Sequence, residues 1–326
     1  MSVLVTGGAG YIGSHVALAM QDRGEDVVVL DNLSTGLQSL VPERATFIMG
    51  NVGDYAHVSD VLRSYKIDSV IHFAASTVVS DSVDNPLFYY QNNTVSSRTL
   101  IAACVDASVK HFIFSSTAAV YAPGQAGLID EGAPATPITP YGRSKLVTEW
   151  ILQDVARTGA LRYVVLRYFN VAGADPFGRS GQSTPSATHL IKRACQACLG
   201  RIPYLEVFGT DYPTSDGTGV RDYIHVSDLS NAHLLALDYL RNGQRSDLFN
   251  CGYGRGYSVR EIISAVERVS HLSVPARECT RRVGDLAAVV ADSGRLSTTL
   301  GWSPQHADID TIVGSALAWE RRLNCA

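Results

Sequence analysis

The amino-acid sequence predicts a doubly wound α/β fold, in which helices cover both faces of a parallel sheet, followed by a smaller mixed lobe. Three observations lead to this prediction. Short β-branched runs alternate with helical stretches in the first half of the chain, a glycine-rich segment joins the first run to the first helix, and the composition changes after about Tyr168. With 326 residues, 46% of them hydrophobic, the chain can bury one large core and a smaller one.

Six strands are predicted before the change in composition, and several of them are continuous apolar runs. Strands buried on both faces of a parallel sheet have this composition. The runs are too short and too β-branched for an all-helical chain. They are Ser2–Thr6, Asp26–Leu30, Thr46–Met49, Ser69–Phe73, His111–Ser115 and Tyr163–Arg167.

After Tyr168, Gly, Pro, Asp and Thr become frequent, which predicts loops, short helices and occasional strands. Asp222–Val226 and Asp228–Leu240 indicate one more strand–helix unit, and we expect residues 222–250 to rejoin the main sheet. The predicted domains are therefore a dinucleotide-binding domain over residues 1–168 and a substrate-binding lobe over residues 169–326.

Charge and composition argue against several classes of function. The net charge is −4 and no basic patch occurs, so nucleic acid and membrane surfaces are poor candidates as partners. No apolar run reaches the roughly 18 residues of a membrane span, and the first residues do not resemble a signal peptide. The six cysteines show no disulfide spacing, which favours the reducing cytoplasm. Cys195 and Cys198 fall within a predicted helix without other ligands nearby, so no metal site is expected.

The glycine-rich segment predicts a dinucleotide site of the Rossmann type. Gly7 allows a tight turn, Gly10 lets the backbone approach a pyrophosphate, and Gly13 permits close packing of helix on strand. The helix that follows offers free N–H groups to the phosphates. Asp31 ends the second strand, where a carboxylate accepts hydrogen bonds from ribose hydroxyls and repels a 2′-phosphate. The predicted cofactor is therefore NAD rather than NADP.

A tyrosine and a lysine indicate acid–base chemistry. Pro140 and Thr139 predict a helix start, so Tyr141 and Lys145, four residues apart, share one helix face. An ammonium group near a phenol lowers the phenol pKa from about 10, and a tyrosine tuned in this way can exchange protons near neutral pH.

Together with the glycine loop, this pair resembles the extended type of the short-chain dehydrogenase/reductase superfamily. The resemblance includes a hydroxyl residue, here Thr117, after a central strand. It narrows to the nucleotide-sugar epimerases of the NAD-dependent epimerase/dehydratase family, and it covers essentially the whole chain. The matching stretches are residues 31–33, 71–75, 89–93, 166–170, 208–214, 216–226 and 281–285.

The resemblance implies a set of binding residues. Those implied for NAD are Gly7, Gly10, Tyr11, Ile12, Gly13, Asp31, Asn32, Leu33, Ser34, Thr35, Gly36, Asn51, Val52, Phe73, Ala74, Ala75, Ser76, Thr77 and Asn92, with Thr117, Tyr141, Lys145 and Phe169 at the nicotinamide. Those implied for the UDP-sugar, besides Thr117 and Tyr141, are Asn170, His189, Leu190, Glu206, Val207, Phe208, Arg221, Val289 and the segment Arg282–Asp285 with Arg282 and Asp285 at its ends.

Several residues depart from the family pattern. Asn51 stands where many relatives have Asp and Thr77 where some have Lys, so we expect somewhat weaker NAD binding at most. His189 stands in the substrate loop, where Asn is common. Val289 stands where some epimerases have a tyrosine that lines the sugar pocket. Relatives with a small side chain there tend to accept N-acetylated sugars, and we expect room for a 2-acetamido group unless neighbouring side chains fill it.

The resemblance implies an enzyme that interconverts UDP-glucose and UDP-galactose by transient oxidation at C4 with bound NAD, with UDP-N-acetylglucosamine and UDP-N-acetylgalactosamine as further candidate substrates. Epimerization of a uronic acid or pentose sugar, or non-catalytic dinucleotide sensing, are the alternatives. A dehydratase is disfavoured because Ala118 and Ala119 follow Thr117 where that chemistry needs an acid–base pair. A cytoplasmic homodimer is expected, with contacts through the helices around Asn92–Ala107 and Pro140–Ala156.

Overall fold

Thirteen strands and eleven α-helices occur in the part of the chain that the structure, a computed structural model, describes: residues 2–122, 127–184, 187–282 and 285–323. The strands are β1 (Ser2–Thr6), β2 (Asp26–Asp31), β3 (Thr46–Met49), β4 (Ile67–His72), β5 (His111–Thr117), β6 (Arg162–Tyr168), β7 (Asn170–Ala172), β8 (Leu205–Phe208), β9 (Val220–His225), β10 (Asp247–Cys251), β11 (Gly256–Ser258), β12 (Ala276–Cys279) and β13 (Ala288–Val289). The helices are α1 (Tyr11–Asp22), α2 (Tyr55–Ser64), α3 (Val79–Asp84), α4 (Pro86–Tyr89), α5 (Ser96–Asp106), α6 (Pro140–Arg157), α7 (Leu190–Cys198), α8 (Val226–Arg241), α9 (Val259–Ser270), α10 (Gly294–Leu300) and α11 (Ile309–Arg322).

Seven strands form the main sheet in the order β10-β6-β5-β4-β1-β2-β3, and every neighbouring pair is parallel. The strand order reverses between β1 and β4. In open α/β sheets a crevice for ligands forms at such a reversal, beyond the carboxyl ends of the strands. The predicted doubly wound fold is confirmed.

Two apolar cores cover the two faces of the main sheet. On one face, Val3 and Val5 of β1 pack with α1 and α8, and on the other, Leu4 packs with residues of α2 and α5. Because side chains alternate across a strand, a strand that is covered on both faces needs apolar residues at successive positions. This arrangement explains the continuous apolar runs in the sequence. No helix within the described residues is long and apolar enough to cross a membrane.

A smaller four-stranded sheet is built around β9, which pairs with β7, β11 and β13. β8 and β12 form a separate parallel pair, and α7, α9 and α11 pack together beside these strands.

Residues 222–250 are divided between the two sheets. Helix α8 and strand β10 lie on the main sheet, but β9 does not, so the prediction for Asp222–Val226 is wrong. The reason is its buried Asp222, whose carboxylate accepts N–H groups from Tyr253, Gly254 and Ala291 in the loops around the smaller sheet. These hydrogen bonds hold β9 in the smaller sheet.

Candidate active site

The glycine loop between β1 and α1 has no room for side chains. Gly7 has a φ of +71°, and a Cβ atom there would lie 2.6 Å from the backbone N of Ala74. A Cβ atom at Gly13 would lie 2.2 Å from the carbonyl oxygen of Gly7. Gly10 begins α1 without a side-chain cap, so N–H groups of the first turn are available to phosphate oxygens. The loop therefore fits the pyrophosphate of a dinucleotide.

Asp31 lies at the end of β2, beside this loop. Its carboxylate accepts the N–H of Ala9 at 3.0 Å and the N–H of Leu33 at 2.8 Å, so it holds the loop against the turn that follows β2. Each carboxylate oxygen has a second lone pair that can accept a ribose hydroxyl. The turn over 32–36 contains no arginine or lysine that could pair with a 2′-phosphate. The residues present fit NAD.

The segment after β4 forms the other side of the crevice. The amide of Asn93 receives the N–H of Ser76 at 2.8 Å, donates to the Ser76 carbonyl at 3.0 Å, and donates to Ser144 of α6 at 3.1 Å. Asn92 donates to the Ser76 hydroxyl at 3.0 Å. Both asparagines lie in a π-helical turn over Tyr90–Val95, a geometry that is frequent at functional sites. Asn92 was predicted from the sequence, whereas Asn93, which holds this segment against α6, was not.

The remaining residues implied for NAD lie along the same edge of the sheet. Tyr11 donates its hydroxyl to the Gly173 carbonyl at 2.7 Å, which joins α1 to the smaller lobe. Asn51 accepts the N–H of Gly53 at 2.8 Å, and Thr77 is exposed. The structure shows no contact between these last two side chains and the glycine loop. Of the others, Asn32, Ser34 and Thr35 are exposed, Ile12, Phe73 and Ala75 are part-buried, and Gly36 and Val52 are buried.

Tyr141 and Lys145 face the carboxyl end of β5. Thr139 caps α6 by accepting the N–H of Gly142 at 3.2 Å, as predicted. A Cβ atom at Gly142 would lie 2.3 Å from the Ala119 carbonyl oxygen, so α6 begins in direct contact with the chain after β5. Thr117, predicted to follow the strand, is its last residue, and its hydroxyl hydrogen-bonds to the phenol of Tyr141.

Burial controls the protonation of both side chains. It raises the pKa of Tyr141 to about 12, although the hydrogen bond from Thr117 acts in the opposite direction. It lowers the pKa of Lys145 to about 7, against the charge of Glu149, and the Lys145 ammonium donates to the Ser115 carbonyl at 2.9 Å. The pKa of Tyr141 in the protein alone is thus raised and not lowered as predicted, because burial outweighs the other influences on it. A dry pocket disfavours the charged form of each group, and the sequence does not reveal how dry the pocket is.

Strand registers connect the region of Tyr141 and Lys145 to the residues implied for the sugar. Tyr168 pairs with Thr117, and two residues later Asn170 pairs with Tyr223 of β9. Towards the start of β9, Arg221 pairs with Val289 of β13. Val289 packs in one apolar cluster with Phe169, Val120 and Leu146, and Leu146 is the neighbour of Lys145 in α6. The Arg221 guanidinium donates to the carbonyls of Val220 and Leu286, both at 2.8 Å.

A second group of the implied residues lies around β8. Arg282 stacks on the ring of Phe208 at 4.7 Å and bonds to Asp285 at 2.9 Å, whereas Glu206 bonds on the surface to Arg277. Val207 is buried in β8, and 283–284 lie outside the described residues. The segment after Asp285 reaches Arg221, which links this group to the first one.

One cavity opens between β7, α7 and α11. Its walls include Tyr11, Asn170, His189 and Leu190, which the sequence analysis had assigned to the cofactor or the sugar. Tyr223, buried and paired with Asn170, also lines it and was missed. Its position in the 216–226 stretch was the available signal, because neighbouring strand residues on one face share a site.

The comparisons with known proteins agree with this geometry. The model of the NAD dependent epimerase/dehydratase family matches residues 3–252. The UDP-glucose 4-epimerase of Azospirillum brasilense is 55% identical over 321 residues, which are 98% of this chain and 92% of that protein.

Two solved structures are similar over nearly their whole length. UDP-glucose 4-epimerase from Brucella ovis in complex with NAD has a TM-score of 0.93 and 44% identity, and the match covers 97% of each chain. The UDP-Glc/GlcNAc 4-epimerase from Campylobacter jejuni has a TM-score of 0.86 and 42% identity, and the match covers 98% of this chain and 99% of that one. The glycine loop, the Tyr–Lys pair and these matches lead to one conclusion: the chain belongs to the NAD-dependent epimerase/dehydratase family.

Proposed function

We propose that this chain interconverts UDP-glucose and UDP-galactose by inverting C4 of the sugar, with NAD bound throughout. The observation that carries the proposal is the position of the pair Tyr141 and Lys145. The pair lies at the carboxyl end of β5, and strand registers join it to Asn170, Arg221 and Val289. The same run of paired strands thus carries a proton-transfer group and an arginine of the kind that suits a diphosphate.

The chain's own residues supply the proton transfer and the orientation. The glycine loop and Asp31 would hold NAD, which would supply the acceptor and donor of the C4 hydride. Tyr141 takes the proton of the C4 hydroxyl and later gives it back to the oxygen at the inverted C4. Thr117 hydrogen-bonds to the same hydroxyl and fixes its direction, while the Lys145 ammonium stabilises the phenolate.

Arg221 and Arg282 would hold the diphosphate, so that UDP remains fixed while the keto sugar turns about its bond to the phosphate. Both faces of C4 can then meet the same groups in succession. Fixing the substrate at a point away from the reacting carbon supplies much of the rate, because it removes the entropic cost of bringing the groups together.

The alternatives differ in one or two residues of the site. Dehydratase chemistry needs an acid–base pair after Thr117, but Ala118 and Ala119 form the short 3₁₀ turn there. A dinucleotide sensor has no use for a buried Tyr–Lys pair. Epimerases of uronic acid or pentose sugars would use the same pair, so only the substrate distinguishes them.

Purified protein incubated with single UDP-sugars, without added NAD, tests the proposal. UDP-galactose, UDP-N-acetylglucosamine, UDP-xylose and UDP-glucuronic acid are supplied separately, and the products are separated and identified. We expect UDP-glucose from UDP-galactose. Turnover of only the pentose or uronic acid would assign one of the alternatives, and no turnover even with added NAD would contradict the enzyme assignment.

We further propose that Val289 admits N-acetylated sugars. Its side chain is part-buried and packs in one apolar cluster with Phe169, and the residue pairs with Arg221 in the smaller sheet. Valine is smaller than the tyrosine that some epimerases have at this position. The substitution Val289→Tyr is expected to lower turnover of UDP-N-acetylglucosamine by about 10–100-fold and that of UDP-galactose by less, because the added ring occupies space next to the sugar. Turnover of UDP-N-acetylglucosamine by the unchanged protein at less than about a thousandth of the UDP-glucose rate would refute the idea.

We propose that the protein is a homodimer through an apolar surface on α3, α4, the π-helical turn and α6. The side chains that support this are largely exposed and apolar: Val83 (59%), Leu87 (82%), Phe88 (57%), Val95 (46%) and Trp150 (52%). Apolar side chains concentrated in this way favour association.

The double substitution Leu87→Asp with Trp150→Glu is expected to yield monomers, because it places charges in the buried centre of the interface. Light scattering coupled to size exclusion measures the mass. Phe177→Asp, at an exposed apolar residue of the smaller lobe, is the matched control and should leave the dimer intact. A monomeric mass for the unchanged protein would contradict the proposal.

We also propose a cytoplasmic location. The five cysteines within the described residues are free, and four of them are buried. Free cysteines are typical of proteins in a reducing compartment.

A further inference from the structure

Three successive residues at the end of β5 hold three side chains of α6. The Thr117 hydroxyl bonds to Tyr141, the Ser115 carbonyl accepts the ammonium of Lys145, and the Ser116 hydroxyl donates to Glu149. The positions 141, 145 and 149 recur every four residues, so they form one row along the helix. Tyr141 and Lys145 take part in the proposed reaction, whereas Glu149 has no role assigned to it so far.

Glu149 is completely buried and carries a second set of bonds from the neighbouring strand. Arg167 of β6 donates to its two carboxylate oxygens at 3.0 and 2.5 Å. Arg167 pairs with Ser116 in the ladder, so both point at the same carboxylate. On its other side the guanidinium stacks on the ring of Tyr121 at 4.8 Å. Ion pairs without solvent exposure are expensive to build unless their bonds are complete, as they are here.

We propose that Glu149 is a positioning residue whose buried charge keeps Lys145 protonated, and that Arg167 limits how much of that charge Lys145 experiences. This inference rests on the proposed function, in which Lys145 must be an ammonium ion to stabilise the phenolate of Tyr141.

The surroundings of Lys145 leave Glu149 as the charge that acts on it directly, and Arg167 reaches Lys145 only through its bonds to Glu149. From β4, His72 faces it with both ring nitrogens bonded to hydroxyls, and burial together with the Lys145 charge lowers the pKa of His72 to about 3. Tyr89 of α4 and Tyr168 of β6 lie near Tyr141, and burial raises the pKa of each. These three groups are neutral at working pH.

Within the described residues, no carboxylate lies within ion-pairing distance of the Lys145 ammonium, and its protein hydrogen bond is to an uncharged carbonyl. Glu149 therefore acts through space. Side chains four residues apart on a helix are neighbours, and a unit charge within about 10 Å at an effective dielectric constant of about 20 changes a proton equilibrium by about tenfold or more. Without Glu149, the buried lysine would lose its proton below neutral pH.

The four lysines of the chain make the test direct. Protein labelled with ¹³C at the lysine Cε atoms should give four signals, from Lys66, Lys110, Lys145 and Lys192, which single Lys→Arg substitutions assign. Their titration is followed in protein freed of NAD and in protein loaded with it.

Glu149→Gln should lower the Lys145 titration midpoint by about one pH unit or more, and Arg167→Gln should raise it, because the two substitutions remove opposite charges. A matched pair provides the control. Lys192 is also buried and paired, with Glu320, so Glu320→Gln should move the Lys192 signal and leave Lys145 unchanged.

Opposite shifts at Lys145 support the proposal. An unchanged midpoint in Glu149→Gln, or shifts of the same sign in both variants, would overturn it and leave Glu149 a structural residue only. If Glu149→Gln or Arg167→Gln does not fold, Glu149→Asp provides the test. Withdrawing the carboxylate by one methylene group should lower the midpoint by a smaller amount, and no shift would again overturn the proposal.

The pH profile of kcat supplies an independent reading. Lys145 titrates at lower pH than Tyr141, so the acid limb of the kcat profile follows Lys145. In Glu149→Gln we expect this limb to move to lower pH and the plateau of kcat to fall. In Arg167→Gln we expect the limb to move to higher pH. The titration of Lys145 does not depend on turnover. Correct shifts in a protein that epimerizes no UDP-sugar would therefore reject the proposed function and not the role of Glu149.

Discussion

Tyr141→Phe is expected to lower kcat for UDP-galactose by about 10³-fold or more. The substitution removes only the hydroxyl that accepts and returns the C4 proton, and a positioned acid–base group contributes about 10²–10⁴-fold. The ring of Tyr141 is buried, so the phenyl group should keep the packing around it. Initial rates of UDP-glucose formation measure the effect.

Two controls accompany this substitution. The thermal unfolding midpoint and the amount of NAD released on denaturation should be close to those of the unchanged protein. A variant that retains more than about a tenth of the activity would show that another group moves the proton. This result would remove the main support for the mechanism, since Thr117 is the other hydroxyl assigned to that position.

Lys145→Met is expected to lower kcat at neutral pH by about 10²-fold or more and to change its pH dependence. Burial alone raises the pKa of Tyr141 to about 12. Without a neighbouring ammonium, the phenolate is scarce below that pH, and kcat should rise about tenfold per pH unit from pH 7 to pH 10. A flat profile in the variant would contradict the role of Lys145.

The same variant should unfold at a higher temperature in the absence of NAD. Burial lowers the pKa of Lys145 to about 7, whereas a lysine in the unfolded chain titrates near 10.4. Between these values the unfolded state binds more protons, so the stability of the unchanged protein rises with pH across this window. The gain from Lys145→Met is therefore largest at or below pH 7, on the order of 2–4 kcal/mol, and disappears by about pH 10.

Lys192→Met provides the contrast for stability. Lys192 is equally buried but bonds directly to the carboxylate of Glu320, which also binds Arg201. Removing one partner of a buried pair leaves the other partly unpaired, so this variant should be less stable. If Lys145→Met and Lys192→Met change the stability in the same direction, the presence or absence of a carboxylate partner does not explain the effect of these lysines on stability.

The sequence predicted the main sheet better than it predicted the contacts within the site. β1 has the predicted bounds, since a strand buried on both faces is apolar at each position. β9 was recognised as a strand but assigned to the wrong sheet, because a strand's pattern shows that it is buried and not which strand lies next to it. Its register with β7 and β13, which places Tyr223 beside Asn170 and Arg221 beside Val289, follows from tertiary structure alone.

The site residues missed from the sequence share a physical cause. Glu149 is a charged residue on an exposed-looking helix, and such residues are almost never fully buried unless they are paired. Its partner Arg167 lies in the following strand, β6, so the pairing follows from tertiary structure alone. The pKa of Tyr141 was predicted to fall but is raised for the same reason. The depth of the pocket determines which charged forms are tolerated, and the sequence does not show that depth.

The central claim is that the hydrogen removed from C4 stays in the enzyme and returns to the same sugar. UDP-galactose carrying deuterium at C4 tests it most directly, with the purified protein in ordinary water and an excess of free, unlabelled NADH. The account predicts UDP-glucose that retains the deuterium at C4. UDP-glucose that carries hydrogen at C4, from the water or from the free NADH, would contradict it.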